Sequence, residues 1–414
     1  MLCRKFDPRK DSAAAHRIWE ETGWLEQGSK ESLELSLVAC SSWVAELAGE
    51  VECLVLTAPG SIRYLLQDLP LVSVCAVVTG RAGRKQGLAT FLTARAVAEA
   101  AEEGAKVVGL GMFEEGFYNR LGFGTGSYEH IIHFSPSRLI TSVEYRPPKR
   151  LTPGDYKEIH TSRLQRQKQH GCCTIYSAEL TKSHMLEYKN GFGLGYYDGP
   201  NLSHHVWFSI EGPVEGGAYQ VEWLSYRNWH QFLELLGVIQ SLGDEVMTIS
   251  LMEPPGIQFQ NFICKPLLGR RFNLSGGAGV TVGGADYRAE AQANWQMRIT
   301  DLEGCLAQTQ LSGPEVRFNL EMNDPIQDFL DPAREWRGIG GQYIVTFGPR
   351  SSAEPGYDPK LPTLTGSVGT FTRMWLGVLS ASALSATGSL HGPPELLAKL
   401  DGFCLPAPHP DWPI

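Results

Sequence analysis

The sequence has no apolar run near the roughly 20 residues that a membrane-spanning helix requires. A helical membrane span is therefore excluded. The opening residues, Met1-Leu-Cys-Arg-Lys-Phe-Asp-Pro, are polar where a signal peptide would carry its apolar core, so a cytoplasmic protein with no membrane partner is expected. The nine cysteines include no C-x-x-C pair, and Cys172 and Cys173 are adjacent, too close to form an easy disulfide. All nine are expected to behave as small buried hydrophobes in a reducing compartment. The chain has no G-K-[ST] phosphate loop and no serine nucleophile elbow. An excess of positive charge is also missing. The net charge of −9 repels nucleic acid and favours cationic partners.

What is present is an ordinary globular balance, 43% hydrophobic and 20% charged, with 45 glycines and 25 prolines marking many turns. At 414 residues the chain exceeds what one core organises, and three blocks can be traced. In the first, residues 12–22 read as a helix, and 33–40, 43–47 and 52–57 as strands. The run 69–79, with Val72, Val74, Val77 and Val78, reads as a buried strand. Residues 88–103 read as a helix stopped near Gly104, and 106–112 as another buried strand. Pro136, Pro147 and Pro148 mark the way into a second block. It has helices over 155–170 and 228–242, and strands around 206–210, 219–224 and 246–251. The order of elements repeats, which suggests a structural duplication. A glycine-rich linker, 275–284, leads to a third block with helical segments at 371–386 and 394–400.

The most informative stretch is Val77-Val-Thr-Gly-Arg-Ala-Gly-Arg-Lys-Gln-Gly-Leu-Ala. A buried strand runs through a Gly/Arg loop into a helix whose Leu88, Phe91 and Leu92 follow helical spacing. Such a loop offers unsatisfied amides and the positive end of a helix dipole to a pyrophosphate. Arg81, Arg84 and Lys85 add charge. A plain basic turn reads equally well from the loop alone, and Arg84-Lys-Gln-Gly-Leu-Ala lacks the dinucleotide G-x-G-x-x-G.

A second motif, Phe117-Tyr-Asn-Arg-Leu-Gly-Phe, follows the next strand. The loop pattern R-x-x-G-x-A (Arg84, Gly87, Ala89), then a helix, a strand and F-Y-x-x-L-G-F, resembles the GNAT superfamily of N-acetyltransferases. Arg81 departs from the proline that many members carry at the strand end. With the length, the duplicated block and a C-terminal block, the whole chain resembles the enhanced-intracellular-survival (Eis) group. The resemblance implies an α/β and α+β architecture. Residues 1–145 would be a catalytic GNAT domain and 146–286 a degenerate copy, because Ser225-Tyr-Arg-Asn-Trp-His lacks the cofactor motif. Residues 287–414 would be a sterol-carrier-protein-like domain.

The resemblance also implies acetyl-CoA as cosubstrate and no metal. Val77, Val78, Thr79, Arg84, Lys85, Gln86, Gly87, Leu88 and Ala89 would hold acetyl-CoA, with strand amides as oxyanion donors. Tyr118 matches the family tyrosine that protonates the departing sulfur. The group typically forms hexamers, so a homo-oligomer is expected. Its C-terminal carboxylate reaches the active site, which here is that of Ile414; a free proline-rich tail is the competing reading.

For the amine, Trp24 and Glu26, with Glu20 and Glu21 nearby, are candidates for an acidic aromatic pocket; Glu20 and Glu21 also fit a solvated helix face. The acceptor would be a primary amine of a cationic small molecule or a lysine-like group. From a different class, a non-catalytic acyl-CoA-responsive or lipid-binding protein is the alternative. His130-x-x-His133 lies on a strand, where residues three apart face opposite sides and cannot share an ion. His204-His205 fails similarly. Gly191-x-Gly193-x-Gly195 reads as a turn or bulge.

Overall fold

A computed structural model of the chain describes residues 2–27, 29–188, 190–211, 217–266 and 287–413. These divide into two compact units. The first comprises Met1–Ser127, Gln169–Ser177 and Ala293–Ile414; the second comprises Tyr128–Lys168 and Ala178–Gln292. The last block of the sequence thus folds with the first. The glycine-rich linker at 275–284 lies outside the described residues.

The first unit opens with β1 (Leu2–Lys5), α1 (Pro8–Thr22), a one-turn α2 (Trp24–Gln27) and α3 (Lys30–Ala39). Then come β2 (Ser41–Leu47), β3 (Glu50–Tyr64), β4 (Gln67–Thr79), α4 (Leu88–Glu102), β5 (Val107–Gly111), α5 (Glu115–Asn119) and β6 (Gly124–Thr125). The strand expected at 33–40 is instead the helix α3. Ser29 caps it by accepting the Ser32 amide, Glu31 complements its first turn, and Val38 is exposed. The alternation of Leu33, Leu35 and Leu37 was a misleading period-2 signal.

The strands form one sheet in the order β1-β2-β3-β4-β5, then Trp295–Ile299, then β6, with Cys173–Ile175 pairing β3 as a branch. One face carries α1 with Ala15, Ile18, Leu54, Leu56, Ala76 and Val78. The other carries α4 and α5 with Leu88, Leu92, Val97, Val108, Leu110 and Tyr118. Fully buried Leu92 and Val97 each stabilise by roughly 1.5–3 kcal/mol relative to exposure. The alanine-rich α4 is a strong helix former, and left-handed Gly104 follows its end, donating its amide to Ala101 O. A second sheet of this unit has the order Ser352–Pro355, Gly341–Phe347, Val316–Asn323, Thr363–Ser367, Leu390–His391. The helix expected at 371–386 is two helices, Val368–Trp375 and Ala381–Ala386, separated at left-handed Gly377.

In the second unit, a seven-stranded sheet is covered by helices including Tyr156–Leu164 and Trp229–Ser241. Gly193 and Gly195 lie inside the strand Phe192–Asp198, not in a turn. A Cβ on Gly193 would sit 2.7 Å from the Trp207 ring, so packing rather than chain reversal explains the glycine. No disulfide joins any of the nine cysteines. Cys53, Cys172, Cys173 and Cys305 are buried, but Cys75 and Cys404 are exposed, which corrects the expectation that all nine would be buried.

Candidate active site

The parallel pairing of β4 with β5 covers only Leu71–Ser73 against Val107–Gly109. Beyond it, β4 continues to Thr79 beside β3 alone. The break coincides with a bulge: Thr57 pairs Val74 and Leu56 pairs Ala76, so Cys75 is the extra residue of β4. An extra residue bends the strand and shifts its alternation. Val72 and Val74 lie on the α4 face before the bulge and Val77 after it, whereas Ala76 and Val78 turn to the α1 face. The result is a cleft between two parallel strands, with no strand on the β5 side of Val74–Thr79 among the described residues. Backbone groups along such an edge can pair with an extended ligand.

At the end of β4 the chain turns through Arg81–Gly83 into α4. Lys85 and Gly87 both adopt left-handed backbone, at φ 59° and 77°. Gly87 is the residue before the first helical turn and supplies no side-chain cap, so the first amides of α4 are left for another acceptor. A Cβ on Gly87 would meet only the Phe91 ring, at 3.5 Å, so the approach is open. Arg84, Lys85 and Gln86 are exposed around this opening.

The loop is pinned from behind. Gly80 donates its amide to Glu52 O at 2.8 Å, and Arg81 donates its amide to Glu21 Oε2 at 2.7 Å. Arg17 ties both carboxylates together, bonding Glu21 at 3.0 Å and Glu52 at 3.1 Å. The Arg81 amide, then Arg17, hold the Glu21 carboxyl below the usual range. Glu21 therefore braces the loop, and Glu20 is exposed on α1. Gly80 and Gly83 are required because an added Cβ would fall 2.5 Å from Glu52 Oε2 and 2.8 Å from Glu52 Cβ, respectively.

Tyr118 is 3% exposed on the same face as Val74, Cys53 and Leu110. Phe117 and Phe123 pack edge-on to it at 4.8 and 6.0 Å. Burial, with the Cys53 thiol and Glu114 adding to it, pushes its hydroxyl up to about 12. The hydroxyl is therefore neutral near pH 7 and able to give up a proton. Its helix is held by residues that the motif does not contain. Gln296 Nε2 donates to Glu115 O at 3.2 Å and Asn119 Oδ1 at 2.6 Å. Arg298 donates to Leu121 O and forms a fully buried ion pair with Asp324 at 2.6 Å. Gly122 turns left-handed at φ 78°, and a Cβ there would strike Val368 at 2.5 Å. The G-F of the motif is thus a tight turn against the last block.

No protein-family model matches the chain, and no curated protein matches its sequence. Solved structures do match. A conserved protein of unknown function from Enterococcus faecalis V583, named as a probable N-acyltransferase, aligns at TM-score 0.76 and 16% identity over 100% of this chain and 99% of its own. A GCN5-related N-acetyltransferase from Anabaena variabilis aligns at TM-score 0.75 and 13% identity over 98% of each chain. Eis1 from Mycobacterium abscessus aligns at 0.74 and 14% identity over 100% of both. The fold is that of the GCN5-related N-acetyltransferases.

Within that GNAT fold, Val77, Val78 and Thr79 line the free end of β4, and Leu88 and Ala89 begin α4. The second unit repeats the topology but fills the cradle. Ala218–Ser225 pairs parallel with Thr248–Met252 only through Val221. After three further residues the helix Trp229–Ser241 starts, and Asn228 Oδ1 already accepts the Gln231 amide at 3.0 Å. A side-chain cap replaces the glycine opening seen at Gly87.

Of the amine-pocket candidates, Trp24 is 39% exposed on α2 with its ring edge-on to Trp19. Glu26 lies in the same helical turn; its side chain is outside the described residues. Ile414 is also outside them. As far as Trp412 the tail is held: Ser127 Oγ donates to Pro408 O at 2.5 Å, His409 N donates to His170 O at 3.1 Å, and Trp412 is 3% exposed. Among the described residues no cluster of three or more metal-ligating side chains occurs. His130 and His133 bond separately, to Glu253 and Ser250. No described helix is long and apolar enough to cross a membrane.

Proposed function

We propose that the protein is an acetyl-CoA-dependent N-acetyltransferase acting on a primary amine, either of a cationic small molecule or of a lysine-like group. The observation that carries this reading is the open Gly87 cradle, at the mouth of the β4–β5 cleft and on the same face as the neutral Tyr118. Acetyl-CoA fits these groups. The first amides of α4 and the side chains of Arg84, Lys85 and Gln86 would face its pyrophosphate, with Gly87, Leu88 and Ala89 forming the turn. The edge of β4 from Val74 to Thr79 would pair the pantetheine arm, and amides of the same edge would face the carbonyl oxygen as it gains charge. Acetyl-CoA supplies the acetyl group as a thioester.

The residues then move two protons. The amine loses one to a carboxylate, for which the C-terminus at Ile414 is assigned and Glu26 is the alternative. The N–C bond forms, the C–S bond breaks, and Tyr118 Oη gives its proton to the sulfur. Trp24 and the acidic Glu26 would face the cationic acceptor. The second unit is assigned no cofactor, since Asn228 occupies its helix start. Assembly as a homo-oligomer and a cytoplasmic location complete the proposal. The test is release of free thiol from acetyl-CoA across a panel of polyamines, aminoglycosides and lysine peptides. Amine-dependent release supports the reading. Binding of acetyl-CoA without release against any amine supports the non-catalytic alternative.

A further inference from the structure

A groove of about 250 Å³ runs along the outer face of α4, lined by Phe91, Arg95, Phe329, Leu330, Asp331 and Arg334. It begins one helical turn beyond Gly87, and the Phe91 ring that would touch a Cβ on Gly87 is also its wall. Phe91 and Phe329 stand edge-on at 5.9 Å, so the mouth is aromatic. Two guanidinium groups line the groove. Arg334 pairs with Glu102 at 3.2 Å. Arg95 lies over the Trp43 ring at 4.4 Å and, among the described residues, has no carboxylate at ion-pair distance. Its Nε is buried without a hydrogen-bond partner. Arg95 stands about two helical turns beyond Gly87 and lines the groove together with Phe91, whose ring neighbours Gly87.

We propose that this groove holds the 3′-phosphoadenosine end of the acyl donor. Arg95 and Arg334 would meet the 3′-phosphate, Phe91 and Phe329 would flank the base, and Asp331 would accept from its exocyclic amine. The inference rests on the acetyl-CoA reading above. A nucleotide bound by pyrophosphate at the Gly87 cradle has its ribose and base a few ångströms away. The groove is the adjoining cavity with aromatic walls and an uncompensated cation. Part of it, Phe329 to Arg334, comes from the last block of the chain, which would give that block a direct share in cofactor binding.

The test compares CoA with dephospho-CoA, which lacks only the 3′-phosphate, by titration calorimetry on the full chain. Loss of a charge-assisted contact is expected to weaken dephospho-CoA about tenfold. Arg95→Gln and Arg334→Gln should each weaken CoA while leaving dephospho-CoA nearly unchanged, so that the ratio falls toward one. Arg334 is a surface residue of the groove, which keeps the test available if Arg95→Gln disturbs Trp43. Equal affinity of wild-type protein for the two ligands overturns the groove assignment and leaves the acetyltransferase reading intact. Failure of both ligands to bind overturns both.

Discussion

Replacing Asp324 by alanine should both destabilise the first unit and loosen the helix that presents Tyr118. Asp324 and Arg298 are each 0% exposed, and they bond through two contacts, at 2.6 and 3.2 Å. Asp324 also accepts the amides of Ile326 and Ile339, and Arg298 reaches Leu121 O beneath the α5 turn. Removing one partner of a buried pair leaves a charge uncompensated and costs about 3–5 kcal/mol. At roughly 2–4 °C per kcal/mol for a unit of this size, Tm should fall by about 6–20 °C. Scanning calorimetry measures it. A double replacement, Arg298→Met with Asp324→Leu, leaves no buried charge and should lose less than Asp324→Ala alone. A drop below about 2 °C for Asp324→Ala, or a double variant worse than the single, refutes the ion-pair argument.

Tyr118→Phe should lower kcat with little change in acetyl-CoA affinity, because only the proton donor is lost. With the Tyr118 hydroxyl raised to about 12, its acid form persists as pH rises and is lost only on passing that value. The wild-type rate of the chemical step should therefore show no Tyr118-dependent decline below about pH 11. A basic limb near pH 8–9 that disappears in Tyr118→Phe would contradict the assignment. Amidating Ile414, or appending a few glycines, should strongly depress turnover without changing Tm; full activity in both proteins moves the base elsewhere. Light scattering should report an oligomer, and a monomeric mass at working concentration would remove that expectation.

The cleft was legible because its parts are local: a valine-rich strand, a Gly/Arg loop and an alanine-rich helix follow one another within 36 residues, from Gln67 to Glu102. The same holds for Tyr118 in its short motif. The groups that support them were not legible. Trp295–Ile299 joins the sheet beside β5 from nearly 190 residues away, and nothing in its composition names that partner. Gln296 and Arg298 belong to the last block of the sequence, yet they hold α5. A basic residue in the fully buried strand Trp295–Ile299, followed by a distant buried Asp324, is a signal only once the pairing is known. The sequence shows Glu21 only as a pocket or surface residue, because its bond to the Arg81 amide links positions 60 apart. The leucines of α3 alternate in the sequence like those of a strand, although only Leu33 among them is fully buried, while the Ser29 cap carries the helix signal.

Acetyl-CoA is expected to bind at the Gly87 cradle and nowhere in the second unit. Titration calorimetry of acetyl-CoA into the wild-type chain and into Gly87→Glu measures it directly. A glutamate at φ 77° strains the turn and places a carboxylate against the phosphates. One site per chain is expected in the wild type and no measurable binding in the variant, with unfolding still cooperative. Two sites per chain, or unchanged affinity in a folded Gly87→Glu protein, would contradict it.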